Sequence, residues 1–165
     1  TTMIDFVVFG DWRGVERALE GLPRAVRSAA QGGQQMAARR LVKIVKDHIN
    51  NQDLGWPAKA DSTRSHDDRI LVDTGTYLSS IKVWKKGSVY YAGVPRNAFS
   101  PKGVRVSDYA IINEFGSARI PPRPLWGPSW EEIGGDKGIR KIVTKAIYDR
   151  IKRLRAQGFD ITLSL

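Results

Sequence analysis

The chain has 165 residues, no cysteine, 27 Lys and Arg against 17 Asp and Glu, and a formal net charge of +10. That length suits a single domain with a modest core, and the missing cysteines exclude a disulfide framework, a thiolate metal site and a cysteine nucleophile. The longest apolar runs, such as Phe6–Phe9 and Tyr109–Ile112, are about four residues, far short of the roughly 20 of a membrane helix. With no charged-then-apolar leader at the N-terminus, a soluble protein without an export signal is expected.

The positive charge is spread along the chain. Residues 23–50 carry +5, residues 51–106 carry +4 and residues 129–155 carry +4, while residues 1–22 carry −2 and residues 156–165 carry −1. A diffuse excess fits work near DNA or an acidic partner, and equally a merely basic soluble protein. Aromatic residues do not interleave with the basic ones in the two basic helical segments, so the stacking half of a single-strand-binding surface is missing there.

In chain order, residues 3–9 are β-branched and aromatic and read as a strand. Asp11 can cap a short helix with Trp12, Val15 and Leu19 on one face, stopped by Gly21. From about Arg24 to Asn50, Val26, Ala29/Ala30, Gly33, Ala37, Leu41, Ile44/Val45 and His48/Ile49 recur at three- and four-residue steps, the apolar face of a long helix. Gly32-Gly33 inside it costs roughly 1 kcal/mol per glycine against alanine and marks either a kink or a close approach by another element. Residues 51–70 form a long polar loop. Residues 71–78 turn into a short helix, and Ile81–Lys85 with Val89–Val94 read as a hairpin joined at Lys86-Gly87-Ser88. Residues 95–106 are a second polar loop, and Asp108–Phe115 a short helix closed by Gly116. Ile120–Pro124 must be extended, because proline fixes φ and removes a donor. A second long helix runs from about Ser129 to Gln157, with a break possible at Gly134-Gly135, and residues 159–165 alternate as a last strand. Leu41, Ile44, Ile142, Ile147 and Ile151 are expected in the core. The class is α+β: a small, mainly antiparallel sheet packed against two long amphipathic helices, in one domain over residues 1–165.

Signals for catalysis are few. His48 lies on the apolar helix face and reads as a core or interface histidine. His66-Asp67-Asp68 has metal-capable side chains, but three sequence neighbours do not converge on one ion without further ligands. No GxSxG, P-loop or GxGxxG occurs. No catalytic residue, metal or cofactor is therefore assigned. Trp12 and Trp84 read as core. Trp56 and Trp126 sit beside prolines in loops, either folded back as lids or held by a partner.

Three blocks carry a resemblance. Leu71-Val72-Asp73-Thr74-Gly75-Thr76-Tyr77-Leu78-Ser79-Ser80-Ile81 precedes the hairpin. Tyr109-Ala110-Ile111-Ile112-Asn113-Glu114-Phe115-Gly116 follows it, and then comes Ile120-Pro121-Pro122-Arg123-Pro124-Leu125-Trp126. Over roughly residues 22–155 the chain resembles the tail-completion, or neck, proteins of tailed bacteriophages, a group that includes the minor tail protein Z of lambda-like phages. The serine pair at 79–80 departs from the family pattern, and the 51–70 loop with Trp56-Pro57 looks more like relatives from contractile-tailed phages. The resemblance implies a non-enzymatic virion protein. It would form a ring, sixfold or a multiple, at the head-proximal end of the tail, between the head connector and the tail terminator or tube, with DNA passing through without sequence-specific binding. Subunit or partner contacts are expected at Trp56, at Ser100, Pro101, Lys102, Gly103 and Val104, at Glu114 and Phe115, and along the arm 117–126 at Arg119, Pro121, Pro122, Arg123, Pro124 and Trp126. Glu114 and Arg123 are expected to pair, either within the subunit or across to the neighbouring subunit. The competing readings are a basic DNA-binding protein, from the charge, and a small hydrolase acting on nucleic acid or cell wall.

Overall fold

The computed structural model describes residues 24–59, 69–72 and 74–158. The strands expected at 3–9 and 159–165, the helix expected at 11–20 and the His66-Asp67-Asp68 cluster lie outside the described residues. The elements are α1 (Arg24–Asn51), α2 (Thr76–Ser80), β1 (Lys82–Lys86), β2 (Val89–Gly93), α3 (Val106–Phe115), α4 (Trp126–Glu132) and α5 (Gly135–Ala156). The class is α+β, helix-rich with one two-stranded antiparallel sheet. Among the described residues no helix is long and apolar enough to cross a membrane.

Two compact units make up the chain. The first comprises residues 1–38, 84–91 and 134–165, the second residues 39–83 and 92–133. Because α1 contributes residues to both, they are not successive domains along the sequence.

In the first unit, Val26, Ala30 and Ala37 of α1 are buried, as are Ile139, Ile151 and Leu154 of α5. Gly33 explains the small residues of this stretch. A Cβ placed there would lie 2.8 Å from the Val143 Cα and 3.1 Å from the Ala146 Cβ, so the two helices meet at backbone contact. Of the two roles open to the glycine pair, close approach is the one Gly33 plays, and α1 runs through it unbroken. Among the described residues nothing lies within 4 Å of a Cβ placed on Gly32. Trp84 stacks on Tyr91 across the hairpin, centroids 5.5 Å apart and planes 11° from parallel. Gly87 takes φ 62° at the first position of the two-residue turn, where a side chain is strained.

In the second unit, Leu41, Val45 and Ile49 continue the buried face of α1, joined by Ile70, Val72, Tyr77, Ile81, Val106, Ala110, Leu125 and Ile133. Leu41 and Ile151 are buried as expected, whereas Ile44, Ile142 and Ile147 are only half-buried. Gln52 and Ile70 are joined by two hydrogen bonds. The Gln52 side-chain oxygen accepts from the Ile70 N–H at 2.6 Å, and its amide donates to the Ile70 carbonyl at 3.0 Å.

The second long helix differs from expectation at its start. The break at Gly134-Gly135 is real, with both glycines at positive φ (90° and 56°). The piece before it, α4, begins three residues earlier than expected, at Trp126, with Pro128 in its first turn, where a missing N–H is harmless. The reason lies in Glu114.

Candidate partner-binding site

The site is built from α3, the arm that follows it and the loop that precedes it, all in the second unit. Glu114 sits on the inner face of α3 and is 9% exposed. Its Oε2 accepts from the backbone N–H of Leu125 at 2.7 Å and of Trp126 at 3.0 Å, and its Oε1 from that of Gly127 at 3.0 Å. The first N–H groups of a helix have no partner inside it, and α4 has no side-chain cap from its own N-cap residue, Leu125. The carboxylate of another helix takes that role and places its negative charge at the positive end of the α4 dipole. This makes a helix of Trp126–Glu132 possible ahead of Ser129.

The chain reaches α4 by a sharp exit from α3. Gly116 has φ 77° and ψ −179°, a region essentially closed to other residues. A Cβ there would also meet the Pro122 nitrogen at 2.9 Å and the Ile120 carbonyl oxygen at 3.0 Å. The Ser117 N–H donates to the Ile120 carbonyl at 2.8 Å, and the Ser117 Oγ accepts from the N–H of Arg119 and Ile120 at 3.3 and 3.2 Å. Further along, the Arg123 N–H donates to the Asn113 carbonyl at 2.6 Å.

Segment 56–58 straps this arm. The Trp56 indole N–H donates to the Pro124 carbonyl at 2.7 Å. The Arg123 guanidinium donates to the carbonyls of Pro57 and Ala58, each at 3.2 Å. The Trp126 indole N–H donates to the Tyr77 hydroxyl at 3.2 Å, and Tyr77 meets Tyr109 edge to face at 6.3 Å. Burial pushes the Tyr77 phenol well above its ordinary pKa, against the opposing effect of the Trp126 hydrogen bond and with a smaller upward contribution from the Glu114 charge. Burial also raises Tyr109.

The Glu114–Arg123 pair expected within the subunit is therefore corrected. Each side chain is engaged by backbone: the acid by three N–H groups, the base by two carbonyls. Proline rigidity does hold Arg123 in place, but it aims the guanidinium at the 57–58 strap. The two loop tryptophans fold back, each spending its indole N–H inside the second unit.

The 95–106 loop is better ordered than its composition suggests. Phe99 and Arg105 form an antiparallel bridge, the Ser100 N–H donates to the Val104 carbonyl at 2.8 Å and the Val104 N–H donates to the Ser100 Oγ at 3.1 Å. The Arg105 guanidinium stands 5.8 Å from the Phe99 ring centre. This miniature hairpin exposes Pro101, Lys102, Gly103 and Val104, with Ser100 half-buried.

The expected contact residues thus separate. Pro101, Lys102, Gly103, Val104, Phe115, Arg119, Pro121, Pro122 and Pro124 are exposed; Trp56, Ser100, Arg123 and Trp126 are half-buried; Glu114 is buried. Phe99, Val104 and Phe115 are 54%, 52% and 66% exposed, large apolar side chains on hydrogen-bonded supports. Sequence reading missed Phe99, and it missed Tyr77, which only its contacts distinguish from an ordinary core tyrosine.

His48 is buried on its helix face, as the periodicity predicts. Its Nδ1 lies 2.7 Å from an Asp53 carboxylate oxygen. Its Nε2 is 3.1 Å from Glu132 Oε2 in a geometry that makes no hydrogen bond. Among the described residues no three His, Cys, Asp or Glu side chains converge as a metal site.

The three sequence blocks behind the resemblance meet here. Tyr77 of the first meets Tyr109 of the second and Trp126 of the third, Glu114 of the second accepts from the Trp126 N–H, Gly116 of the second lies against Pro122 of the third, and Arg123 of the third donates to the Asn113 carbonyl of the second. Comparison with family models, with curated proteins and with solved structures returned no match.

Proposed function

We propose that this chain is a structural subunit of a tailed-phage neck, a ring at the head-proximal end of the tail that joins the head connector to the tail terminator or tube. One observation carries the reading. Segments 99–105 and 117–124 are braced by side-chain-to-backbone hydrogen bonds, and yet the first presents Phe99 and Val104 to water. Exposed apolar groups on a rigid frame are costly unless a partner covers them, and rigidity lowers the ordering cost when it does. A closed ring needs two different patches that meet, and the miniature hairpin and the arm supply two. The sequence resemblance supports the same assignment, and the virion is the location it implies.

The test is genetic and visual. Deleting the gene from the phage that carries it is expected to give DNA-filled heads beside separate tails in electron micrographs. Joined, infectious particles in the deletion overturn the proposal. Since the chain lacks cysteine, Val104→Cys can also carry a thiol-attached photo-cross-linker in assembled particles; joining each subunit's residue 104 to a different patch of its neighbour is expected to yield a ladder of multiples of this subunit.

A further inference from the structure

We infer that the solvent face of α5 is a surface for the phosphate backbone of double-stranded DNA. This names where DNA would meet the ring, and in that respect rests on the reading above; the charge pattern itself does not.

The 22 residues of α5 span about 33 Å. Its apolar side is spent internally: Ile139, Ile151 and Leu154 are buried, and Val143 and Ala146 lie against Gly33. The opposite side exposes Lys137, Lys141, Lys145 and Lys152. At 3.6 residues per turn, Lys137, Lys141, Tyr148 and Lys152 fall within an arc of about 60°. Tyr148, 65% exposed, sits in the middle of it. An aromatic does therefore interleave with the basic residues, contrary to the sequence reading.

The helix holds eight Lys and Arg and two acids, Asp136 and Asp149. Asp149 is tied to Lys145 at 2.8 Å, a contact that lowers its carboxyl pKa. The unit that contains α5 carries +7 of the chain's +10. Cations four apart, such as Lys137 and Lys141, repel and weaken the helix. A polyanion laid along the face reverses that penalty.

Three partners could supply the negative charge. A membrane surface requires an apolar wedge beside the cations, and the apolar side of α5 is already covered. Single-stranded nucleic acid requires a series of stacking platforms; α5 offers Tyr148 alone, and Trp84 and Tyr91 stack on each other. Duplex DNA requires a line of cations, since it presents one charge per roughly 1.7 Å of axis. Lysines, flexible point charges, suit phosphate contact without base reading.

The test is fluorescence anisotropy of the full chain with a mixed-sequence 30-base-pair duplex, titrated between 50 and 200 mM salt. Lys137→Gln, Lys141→Gln and Lys152→Gln together are expected to weaken binding by about tenfold or more. They should also lower the log–log salt slope by about 2–3, at roughly 0.9 per lost phosphate contact. The corresponding triple Arg variant is expected to bind like the parent, which separates lost charge from lost fold. Lys82→Gln, Lys86→Gln and Lys102→Gln, with the same net charge, are expected to keep the parental slope. Equal losses in both Gln triples would reduce the effect to net charge and overturn the inference. So would tighter binding to a 30-nucleotide single strand that is lost in Tyr148→Ala, or preferential binding to phosphatidylserine vesicles. Head–tail joining is scored separately, so failure of the ring and failure of the DNA face are distinguishable.

Discussion

Removing the Glu114 carboxylate tests how the second unit is held together. Three N–H donors converge on it at 2.7, 3.0 and 3.0 Å, and one of them belongs to Leu125, which is 1% exposed. An ordinary N-cap replaced by alanine costs about 0.5–2 kcal/mol. Hydrogen bonds to a charged group are worth about 1.5–3 kcal/mol each, and three on one carboxylate do not add in full. Glu114→Ala also leaves a buried donor unpaired, so a loss of about 3–4 kcal/mol is expected. Glu114→Gln keeps one oxygen but turns an N–H donor toward the helix end, for an expected loss of about 1–2 kcal/mol. Urea unfolding followed by tryptophan emission measures both, because Trp56 and Trp126 report on this region. Hydrogen exchange at the amides of residues 125–127 should speed up in both variants. Asp108→Ala, an exposed acid on the same helix, is the control. If Glu114→Gln falls within about 0.5 kcal/mol of the parent, or Glu114→Ala matches the Asp108 control, the carboxylate is not the cap of α4.

Three further outcomes follow from particular contacts. Gly32→Ala and Gly33→Ala share a helix-propensity gain of about 1 kcal/mol, so their difference isolates the contact with Val143; Gly33→Ala is expected to be less stable by about 1–3 kcal/mol, read by thermal unfolding, and equal stabilities would contradict the close approach. Tyr77 should make the protein alkali-sensitive: its raised folded pKa means the stability it contributes is fully present below about pH 10 and lost as pH rises beyond that, by up to about 1.4 kcal/mol per unit. Tyr77→Phe should cost about 1 kcal/mol at neutral pH through the unpaired Trp126 indole and should flatten the loss above pH 10. Arg123→Lys should loosen the 57–58 strap, since an ammonium cannot span two carbonyls as the planar fork does; the expected signs are a red-shifted Trp56 emission and faster proteolysis in the adjoining loop.

What sequence reading made legible was set by local rules. The period of α1 follows from Val26 through Ile49, and the hairpin from two β-rich runs around Gly87. Positive φ at Gly75, Gly116 and Gly134 fits residues whose lack of a Cβ announces a turn. What it could not supply was partnership over distance. Glu114 and Leu125 are eleven positions apart, Trp56 and Pro124 sixty-eight, and no periodicity encodes such pairs. Within the subunit, the Glu114–Arg123 expectation failed for that reason. Charge complementarity matched the two side chains to each other, while the fold offered each a set of backbone groups, and a carboxylate with three oriented N–H donors needs no guanidinium. The 95–106 loop was misjudged differently: its polar composition conceals a bridge made by backbone hydrogen bonds.

The contacts divide the residues that build the frame from those that stand on it, and the division has a consequence for the proposed function. Tyr77, Glu114, Gly116 and Arg123 all point into the second unit's own structure, so they set the shape of the frame. Phe99 and Val104 stand on the frame and point away from it. Damage to the first group should therefore lower stability and head–tail joining together. Damage to the second should lower joining alone. Val104→Ser is the cleaner case: its side chain is 52% exposed, and the backbone bonds of the miniature hairpin survive the change. Its unfolding free energy is expected to stay within about 0.5 kcal/mol of the parent, while the yield of joined particles falls. Glu114→Ala should lose both. If Val104→Ser joins heads to tails as the parent does, the hairpin is not a contact surface and the proposed pairing of hairpin with arm is wrong. If it lowers stability as much as Glu114→Ala, Val104 belongs to the frame and the division is wrong.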